Sequence, residues 1–156
     1  MRYEDIAKSY NELYGEEQKQ KVELVLKNFK INNDLKVLDV GCGTGLSAIN
    51  KNTIGVDSAF KLLKQAKIPV VRGVAEQLPF KNNSFDVITS FTAIHNFKDY
   101  KKAVKEIKRV GVDVFIITVL KKAKKCSDIF AELKKNFKIK KKLKEAKDLI
   151  LILQHN

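Results

Sequence analysis

The sequence predicts an α/β fold with a mostly parallel sheet, because short apolar strands alternate along it with amphipathic helical patterns. Residues 37–40 form an apolar run of strand length, broken only by Asp39. A turn follows at once, in which Gly41, Gly43 and Gly45 alternate with other residues. Glycine lets the backbone bend sharply and lets a ligand approach closely, so a strand entering such a turn is typical of a nucleotide-binding α/β unit.

Length and composition are those of one globular domain. The chain has 156 residues, 44% of them hydrophobic. No apolar stretch approaches the roughly 20 residues of a membrane helix, and the polar N-terminus shows no signal-peptide core. Cys42 and Cys126 are the two cysteines of the sequence. We therefore expect a cytoplasmic protein with reduced thiols, no metal site and no membrane association.

The spacing of the glycines favours one kind of ligand. A dinucleotide fingerprint would place its third glycine where Leu46 stands, and the lysine of a P-loop is absent. Asp39 lies beside the turn, where its carboxylate would repel a pyrophosphate but attract an amine or a sulfonium. A nucleoside with a cationic amino-acid end satisfies both conditions, and S-adenosylmethionine is such a ligand.

Residues 37–45, Val-Leu-Asp-Val-Gly-Cys-Gly-Thr-Gly, resemble the first motif of the class I S-adenosylmethionine-dependent methyltransferases. The resemblance continues, in family order and spacing, through residues 54–57, 73–80 and 84–88. It covers roughly residues 36–119, and the four motifs in series make it specific.

This resemblance implies a Rossmann-like three-layer sandwich with a seven-stranded, mostly parallel sheet whose last strand is antiparallel. It implies a single methyltransferase domain over residues 1–156, with residues 1–30 as a helical N-terminal cover and residues 31–156 as the core. The apolar periodicity of residues 3–29 predicts helix, with Gly15 separating two apolar stripes.

The remaining elements follow from apolar runs, turn residues and caps. The first strand is expected at Leu35–Val40, and a shortened helix at Leu46–Asn52 leads to a second strand at Thr53–Val56. Pro69 ends a helix that begins near Phe60. The other expected elements are strands at Val70–Arg72, Phe85–Ser90 and Val112–Leu120, a helix at Tyr100–Val110, a helix from a Ser127 cap to Asn136, and two strands near Phe137–Leu143 and Leu149–Gln154.

The resemblance assigns cofactor contacts around the turn. Four positions there are expected to contact the cofactor: Asp39, Gly41, Cys42 and Gly43. Asp57 ends the second strand, and an acid about 20 residues past the turn accepts both ribose hydroxyls. Its competing role is to cap the next helix together with Ser58. Tyr10 corresponds to the tyrosine of the family's cover segment that reaches the methionine end; the alternative is a core aromatic.

Recognition of the adenine departs from the family pattern. Relatives carry an acid after the glycine that takes the adenine amino group, and here Val74 occupies that position. Ala75 can still offer its backbone N–H to the ring, and Glu76 either supplies the missing acceptor or lies in solvent. Asp86, within the fourth strand, is expected to bond neighbouring backbone rather than to act in catalysis.

Residues 90–97 leave the fourth strand at its carboxyl end, where open α/β sheets bind ligands, so Ser90 and its neighbours should border the transferred methyl. His95 is the imidazole nearest to it and the candidate general base. The alternative is that its ring packs at the strand-to-helix junction. Weaker candidates for acceptor contacts are Thr92, Asn96 and Tyr14.

The expected function is therefore a methyltransferase that uses S-adenosylmethionine. Residues 90–97 also resemble the corresponding stretch of tRNA wobble-uridine methyltransferases, which favours RNA as the acceptor. In residues 121–148, twelve lysines face four acids, a local charge of +8 that suits RNA but equally describes a solvated surface. The short chain implies that RNA recognition needs an activator subunit. The alternatives are a small-molecule methyltransferase and a cofactor- or RNA-binding module without turnover.

Overall fold

The structure is a computed structural model that describes residues 6–156. The first part of the predicted cover, residues 1–5, lies outside the described residues. A short 3-10 helix at Ile94–Asn96 follows the fourth strand. In chain order the other elements are α1 (Tyr10–Asn28), β1 (Val37–Val40), β2 (Thr53–Asp57), α2 (Phe60–Leu63), β3 (Val70–Arg72), β4 (Phe85–Ser90), α3 (Tyr100–Val110), β5 (Gly111–Leu120), α4 (Cys126–Asn136), β6 (Phe137–Lys144) and β7 (Asp148–His155).

The seven strands form one sheet in the order β3-β2-β1-β4-β5-β7-β6. β1 pairs in parallel with β2 and β4, β2 with β3, and β4 with β5. β7 runs antiparallel to both β5 and β6, so the expected sheet with an antiparallel last strand is confirmed. The strand order reverses between β1 and β4, and in open α/β sheets ligands bind at the carboxyl ends of the strands at such a point.

The turn after β1 depends on three glycines in the left-handed region, with φ of 77° at Gly41, 55° at Gly43 and 81° at Gly45. Side chains with a Cβ rarely adopt this conformation. The helix expected at Leu46–Asn52 is wrong, because these residues, all within the described chain, form turns and bends. Too few residues separate the glycines from β2 to fit a helix and its two connections.

Side chains fix the backbone where helix bonds are missing. The Asn50 amide nitrogen donates to the carbonyl oxygens of Asn32, at 2.9 Å, and Leu35, at 3.0 Å. This clamp ties the connection to the segment that precedes β1. Asp86 Oδ2 accepts the backbone N–H of Lys36 at 2.8 Å, which confirms its expected structural role.

Helix α1 packs on one face of the sheet through a side that only partly matches the predicted apolar stripes, since Val22 and Val25 of the second stripe are buried as expected. Its buried side chains share one side of the helix: Gln18, Lys21, Val22 and Val25. Leu13 is 58% exposed, and the helix continues through Gly15 without interruption. The apolar pattern did not identify Gln18 and Lys21, which are polar and share the buried face.

Helices α3 and α4 pack on the opposite face, since alternate strand residues such as Val37 and Leu38 join different core clusters. Asp99 caps α3 by accepting the Lys102 N–H at 3.1 Å. The expected Ser127 cap is wrong. α4 begins at Cys126 after a backbone turn, in which the Cys126 N–H donates to the Ala123 carbonyl oxygen at 3.0 Å. Among residues 6–156, no helix combines the length and apolar character needed to span a membrane.

Candidate functional site

A cavity of about 250 Å³ opens at the carboxyl ends of β1, β2 and β4. Its wall brings together seven of the positions predicted to contact a cofactor: Tyr10, Gly41, Gly43, Asp57, Ser58, Ala75 and Glu76. The rest of the wall consists of Val56, Leu62, Gly73, Val74, Phe91, Thr92, Ala93, Asn96, Phe97 and Lys98.

The glycine turn forms the floor of the cavity. Neighbouring side chains lie so close to its backbone that a Cβ at Gly41 or Gly43 would crowd them. A Cβ on Gly41 would lie 2.6 Å from the Ala93 Cβ. A Cβ on Gly43 would lie 3.1 Å from the Tyr10 hydroxyl oxygen and 3.4 Å or less from two carbons of its ring. Tyr10 of α1 therefore packs directly over the turn, while Ala93, after β4, packs beside it.

Asp57 connects the turn to the next helix. Its Oδ2 accepts the Gly43 N–H, and its Oδ1 accepts the Ala59 N–H, both at 2.8 Å. Asp57 therefore orders the start of α2, as the helix-capping interpretation expects. It also lines the cavity, where a ribose-binding residue would have to lie. A carboxylate has about four lone-pair sites, so each of its oxygens can accept more than one hydrogen bond.

The loop after β3 contributes a second acid. Glu76 lines the cavity, and its Oε1 accepts the Asp99 N–H at 3.0 Å. Glu76 thereby ties this loop to the start of α3. Ala75, beside it, is buried, whereas the side chain of Val74 is largely exposed.

Asp39 does not line the cavity, although the sequence placed its carboxylate next to a cationic ligand. The side chain is fully buried. Its Oδ2 accepts the Ser47 hydroxyl at 2.7 Å, and its Oδ1 accepts the Thr89 hydroxyl at 2.9 Å. Burial raises the pKa of Asp39 from its usual 3.8 to about 7, although both hydroxyls oppose that rise. Asp39 thus braces β1 against β4 and the segment after the turn.

Cys42 and Ser90 also lie outside the cavity wall. Cys42 fills space over β2, where a Cβ on Gly55 would lie 2.4 Å from its Sγ, and burial raises the pKa of its thiol. Ser90 is fully buried, and its hydroxyl has no hydrogen-bond partner within residues 6–156. Among those residues, no three His, Cys, Asp or Glu side chains are grouped so that they could hold a metal ion.

The segment after β4 borders the cavity through Thr92 and Asn96. His95, between them in sequence, is outside the wall and half-buried, and its Nδ1 has no hydrogen-bond partner in the described chain. Burial lowers the pKa of His95; the charge of Asp148 opposes this shift and that of Lys21 adds to it. The ring is therefore neutral at neutral pH and can accept a proton. Tyr14, the other acceptor candidate, does not line the cavity but packs against Tyr10, with the ring centroids 5.2 Å apart and the rings tilted by 49°.

Sequence reasoning missed a buried polar cluster beside this segment, in which Lys21 and Asp148 contact Thr92. The one available signal was that Lys21 shares a helix face with Val22 and Val25. The aromatic wall formed by Phe91 and Phe97 was likewise not assigned, because aromatic residues after a strand are as common in a core as in a cavity.

Comparisons with known proteins agree with this geometry. A family model described as a methyltransferase domain matches residues 38–112. An uncharacterized protein of Methanocaldococcus jannaschii is 42% identical over 125 residues, which are 75% of this chain and 49% of that protein. Demethylmenaquinone methyltransferase of Staphylococcus aureus is 32% identical over 128 residues, which are 69% of this chain and 53% of that protein. The chain thus spans about half the length of the curated relatives it matches.

Solved structures show the same fold. One chain of a complex between the Haloferax volcanii Trm112 methyltransferase activator and a methyltransferase superposes with a TM-score of 0.84. It is 12% identical, and the match covers 99% of this chain and 97% of that chain. Magnesium protoporphyrin IX methyltransferase from Synechocystis PCC 6803, solved with bound S-adenosylmethionine, superposes with a TM-score of 0.73 at 16% identity, covering 92% of this chain and 80% of that chain.

The raised pKa of Asp39 predicts a pH-dependent contribution to stability. Because the folded-state pKa of about 7 exceeds the usual 3.8, this contribution is full below pH 3.8 and is lost as the pH rises to 7. Asp39→Asn removes the titration. The unfolding free energy of the variant should therefore rise relative to wild type over this interval, by at most about 1.4 kcal/mol per pH unit.

Urea unfolding at a series of pH values measures this difference. Asp34→Asn, at an exposed aspartate before β1, is the matched control. A constant difference between Asp39→Asn and wild type from pH 4 to 7 would show that folding does not raise the pKa of Asp39.

Proposed function

We propose, from the premise that the chain belongs to the class I S-adenosylmethionine-dependent methyltransferases, that it transfers a methyl group from this cofactor to an acceptor at the mouth of the cavity. The observation that carries the proposal is the convergence of the glycine turn, Asp57 and Tyr10 on one cavity where the strand order reverses. The fold is shared with methyltransferases, and the activity of the whole protein is our proposal.

The cavity suits the cofactor in shape and in chemistry. At Gly41 a Cβ would collide with Ala93, and at Gly43 it would crowd Tyr10, so bare backbone faces the ligand. Asp57 offers carboxylate oxygens to the ribose hydroxyls. Ala75 and Glu76, on the loop after β3, are placed to meet the adenine, and Tyr10 covers the amino-acid end. The sequence also predicted cofactor contacts for Asp39, Cys42 and Ser90; because they lie outside the cavity wall, we propose that they support this wall from behind.

The bound cofactor supplies an electrophilic methyl on its sulfonium. The chain then has to hold the acceptor in line with that methyl, and such positioning lowers barriers by up to roughly 7–11 kcal/mol. Thr92 and Asn96 lie in the wall beside β4 and can orient an acceptor. His95, neutral because burial lowers its pKa, is our candidate for removing a proton from an acceptor that retains one.

RNA remains our proposed acceptor, supported by the serine, Ile-His and aromatic pattern of residues 90–97 and by the exposed lysines of β6. A small molecule is the second candidate, favoured by the similarity to demethylmenaquinone methyltransferase. β6 is an edge strand, and edge lysines also prevent strands of different molecules from pairing. The lysines are therefore compatible with either acceptor.

We further propose an activator subunit bound at β3, the opposite edge of the sheet. β3 pairs with β2 alone among the described strands, which leaves backbone groups available for strand addition. Exposed apolar side chains surround this edge at Phe60, Val71 and Val74, and Val74 also lines the cavity. The superposed Haloferax chain was solved in a complex that includes an activator. We also propose that the chain is a single methyltransferase domain that works in the cytoplasm, where the free thiols of Cys42 and Cys126 would stay reduced.

Methyl transfer is tested by incubating the protein with cofactor labelled on the methyl group and with separated RNA, protein and metabolite fractions. We expect label in one fraction, with the RNA fraction favoured. An activator protein added in a parallel reaction should raise the incorporation. If the protein binds the cofactor but transfers no label to any fraction, with or without activator, methyl transfer is excluded and the protein is a binding module without turnover.

Removing the Asp57 carboxylate should weaken cofactor binding. Asp57→Ala should lose about 1.5–3 kcal/mol of binding free energy for S-adenosylhomocysteine, the range for hydrogen bonds to a charged group. Gly43→Val should abolish binding because its side chain would enter space held by Tyr10. Asp86→Ala is the matched control, since Asp86 also accepts a backbone N–H at 2.8 Å but lies at the start of β4, away from the cavity. Titration calorimetry showing wild-type affinity in folded Asp57→Ala would remove Asp57 from the site.

The lysines of β6 give a separate test of RNA binding. Replacing Lys140, Lys141 and Lys142 with Gln should weaken RNA binding and flatten its salt dependence, because fewer counterions are released. The control replaces three exposed lysines of α3: Lys101, Lys102 and Lys105. Gel shifts at several salt concentrations measure the slope. If the salt dependence of RNA affinity has the same slope in both triple variants and in wild type, the β6 lysines do not contact RNA and form only a solvated surface.

A further inference from the structure

Lys21 of α1 is a fully buried lysine with three partners. Its Nζ donates to Glu17 Oε1 at 2.8 Å and to Thr92 Oγ1 at 3.0 Å, and it lies 3.3 Å from Asp148 Oδ2. Two of the three N–H donors of the ammonium group are thus hydrogen-bonded, and Asp148 forms an ion pair with it. Glu17 extends the cluster to the surface, where its Oε2 lies 2.9 Å from Nζ of the exposed Lys147.

Asp148, the first residue of β7, is also fully buried. Besides Lys21, its Oδ2 accepts the hydroxyls of Thr92, at 2.6 Å, and Thr118 of β5, at 2.7 Å. Thr118 Oγ1 in turn accepts the backbone N–H of Thr92 at 2.6 Å. The cluster therefore joins α1, the segment after β4, β5 and β7 at the carboxyl end of the central strands.

Thr92 connects this cluster to the cavity. It lines the cavity wall, and its φ of 51° lies in the left-handed region, which is uncommon for a β-branched residue. A backbone held there needs surroundings that over-determine it. Here the Thr92 N–H and hydroxyl are both bonded, to Thr118 and to the Lys21–Asp148 pair.

A buried ion pair is weak support for stability, because desolvation of both charges offsets their attraction and apolar side chains often serve as well. What apolar side chains cannot supply is directional bonds to the backbone and hydroxyl of Thr92. We propose that Lys21, Thr118 and Asp148 are positioning residues, which hold Thr92 and the cover helix α1 in the arrangement that binds the cofactor. This inference rests on the proposed function.

The cover helix gives the cluster a second connection to the cavity. Tyr10, at the first position of α1, packs over Gly43, whereas Lys21 anchors the same helix three turns later. A helix transmits its position along its length, so a change at Lys21 moves the Tyr10 wall and the Thr92 wall together.

Thr118→Val tests the inference away from the cavity, because Thr118 is fully buried and outside the cavity wall. Valine keeps the shape but removes the hydroxyl that bonds Thr92 and Asp148. Titration calorimetry with S-adenosylhomocysteine should show affinity weakened by about tenfold. Thr118→Ser should restore it, and Lys147→Gln, which removes only the exposed end of the cluster, should leave it unchanged.

A second variant covers the case in which Thr118→Val does not fold. Lys21→Met combined with Asp148→Asn removes both charges and keeps an acceptor for the two hydroxyls. It should also bind S-adenosylhomocysteine less tightly, at a temperature where circular dichroism shows it folded. In wild type, S-adenosylhomocysteine should slow amide hydrogen exchange in α1, in residues 91–98 and at the start of β7 together.

Wild-type affinity in the folded variants, whatever their melting temperatures, would overturn the inference and leave a purely structural cluster. Protection against exchange confined to the glycine turn and the β3 loop would also overturn it. Absence of S-adenosylhomocysteine binding by wild type would instead overturn the proposed function, and the inference with it.

Discussion

The close packing of the turn after β1 is the constraint on which the site depends. The Gly43 N–H bonds Asp57 at the end of β2, and Gly41 lies against Ala93 after β4. The turn is therefore wedged between the two strands that flank β1, under Tyr10 of the cover helix. Asp57, Ala93 and Tyr10 all contact the glycine backbone of this turn. The positions of these three parts of the cavity wall therefore depend on the same turn.

The strands and the glycine turn could be predicted because their signals are local. An apolar run of strand length followed by glycines predicts both that a strand forms and where it ends. The direction of a side chain is not local in this way. Asp39 was placed correctly at the end of β1, but its carboxylate is taken by hydroxyls 8 and 50 residues away, on Ser47 and Thr89. The sequence showed the carboxylate without showing what would surround it.

Helix α1 shows the same limit for whole faces. Apolar periodicity assigns lysine to solvent, and most lysines are indeed exposed, because burying an ammonium group is energetically costly. Two of the three partners of the buried Lys21 come from the segment after β4 and the start of β7, elements that meet only in the folded sheet. The absence of a helix after the turn was also not predictable from local signals. Asn50 in this segment bonds backbone carbonyl groups that precede β1, and these contacts are distant in sequence.

The packing of Cys42 on Gly55 has a practical consequence for watching this turn in solution. The thiol occupies the space left by the missing Cβ of Gly55, and burial raises its pKa, so we expect thiol-alkylating reagents to reach it only when the turn moves away from β2. Cys126, half-buried at the start of α4, provides a second thiol in the same molecule. The ratio of the two alkylation rates therefore reports the opening of the turn in the unmodified chain, without an introduced probe.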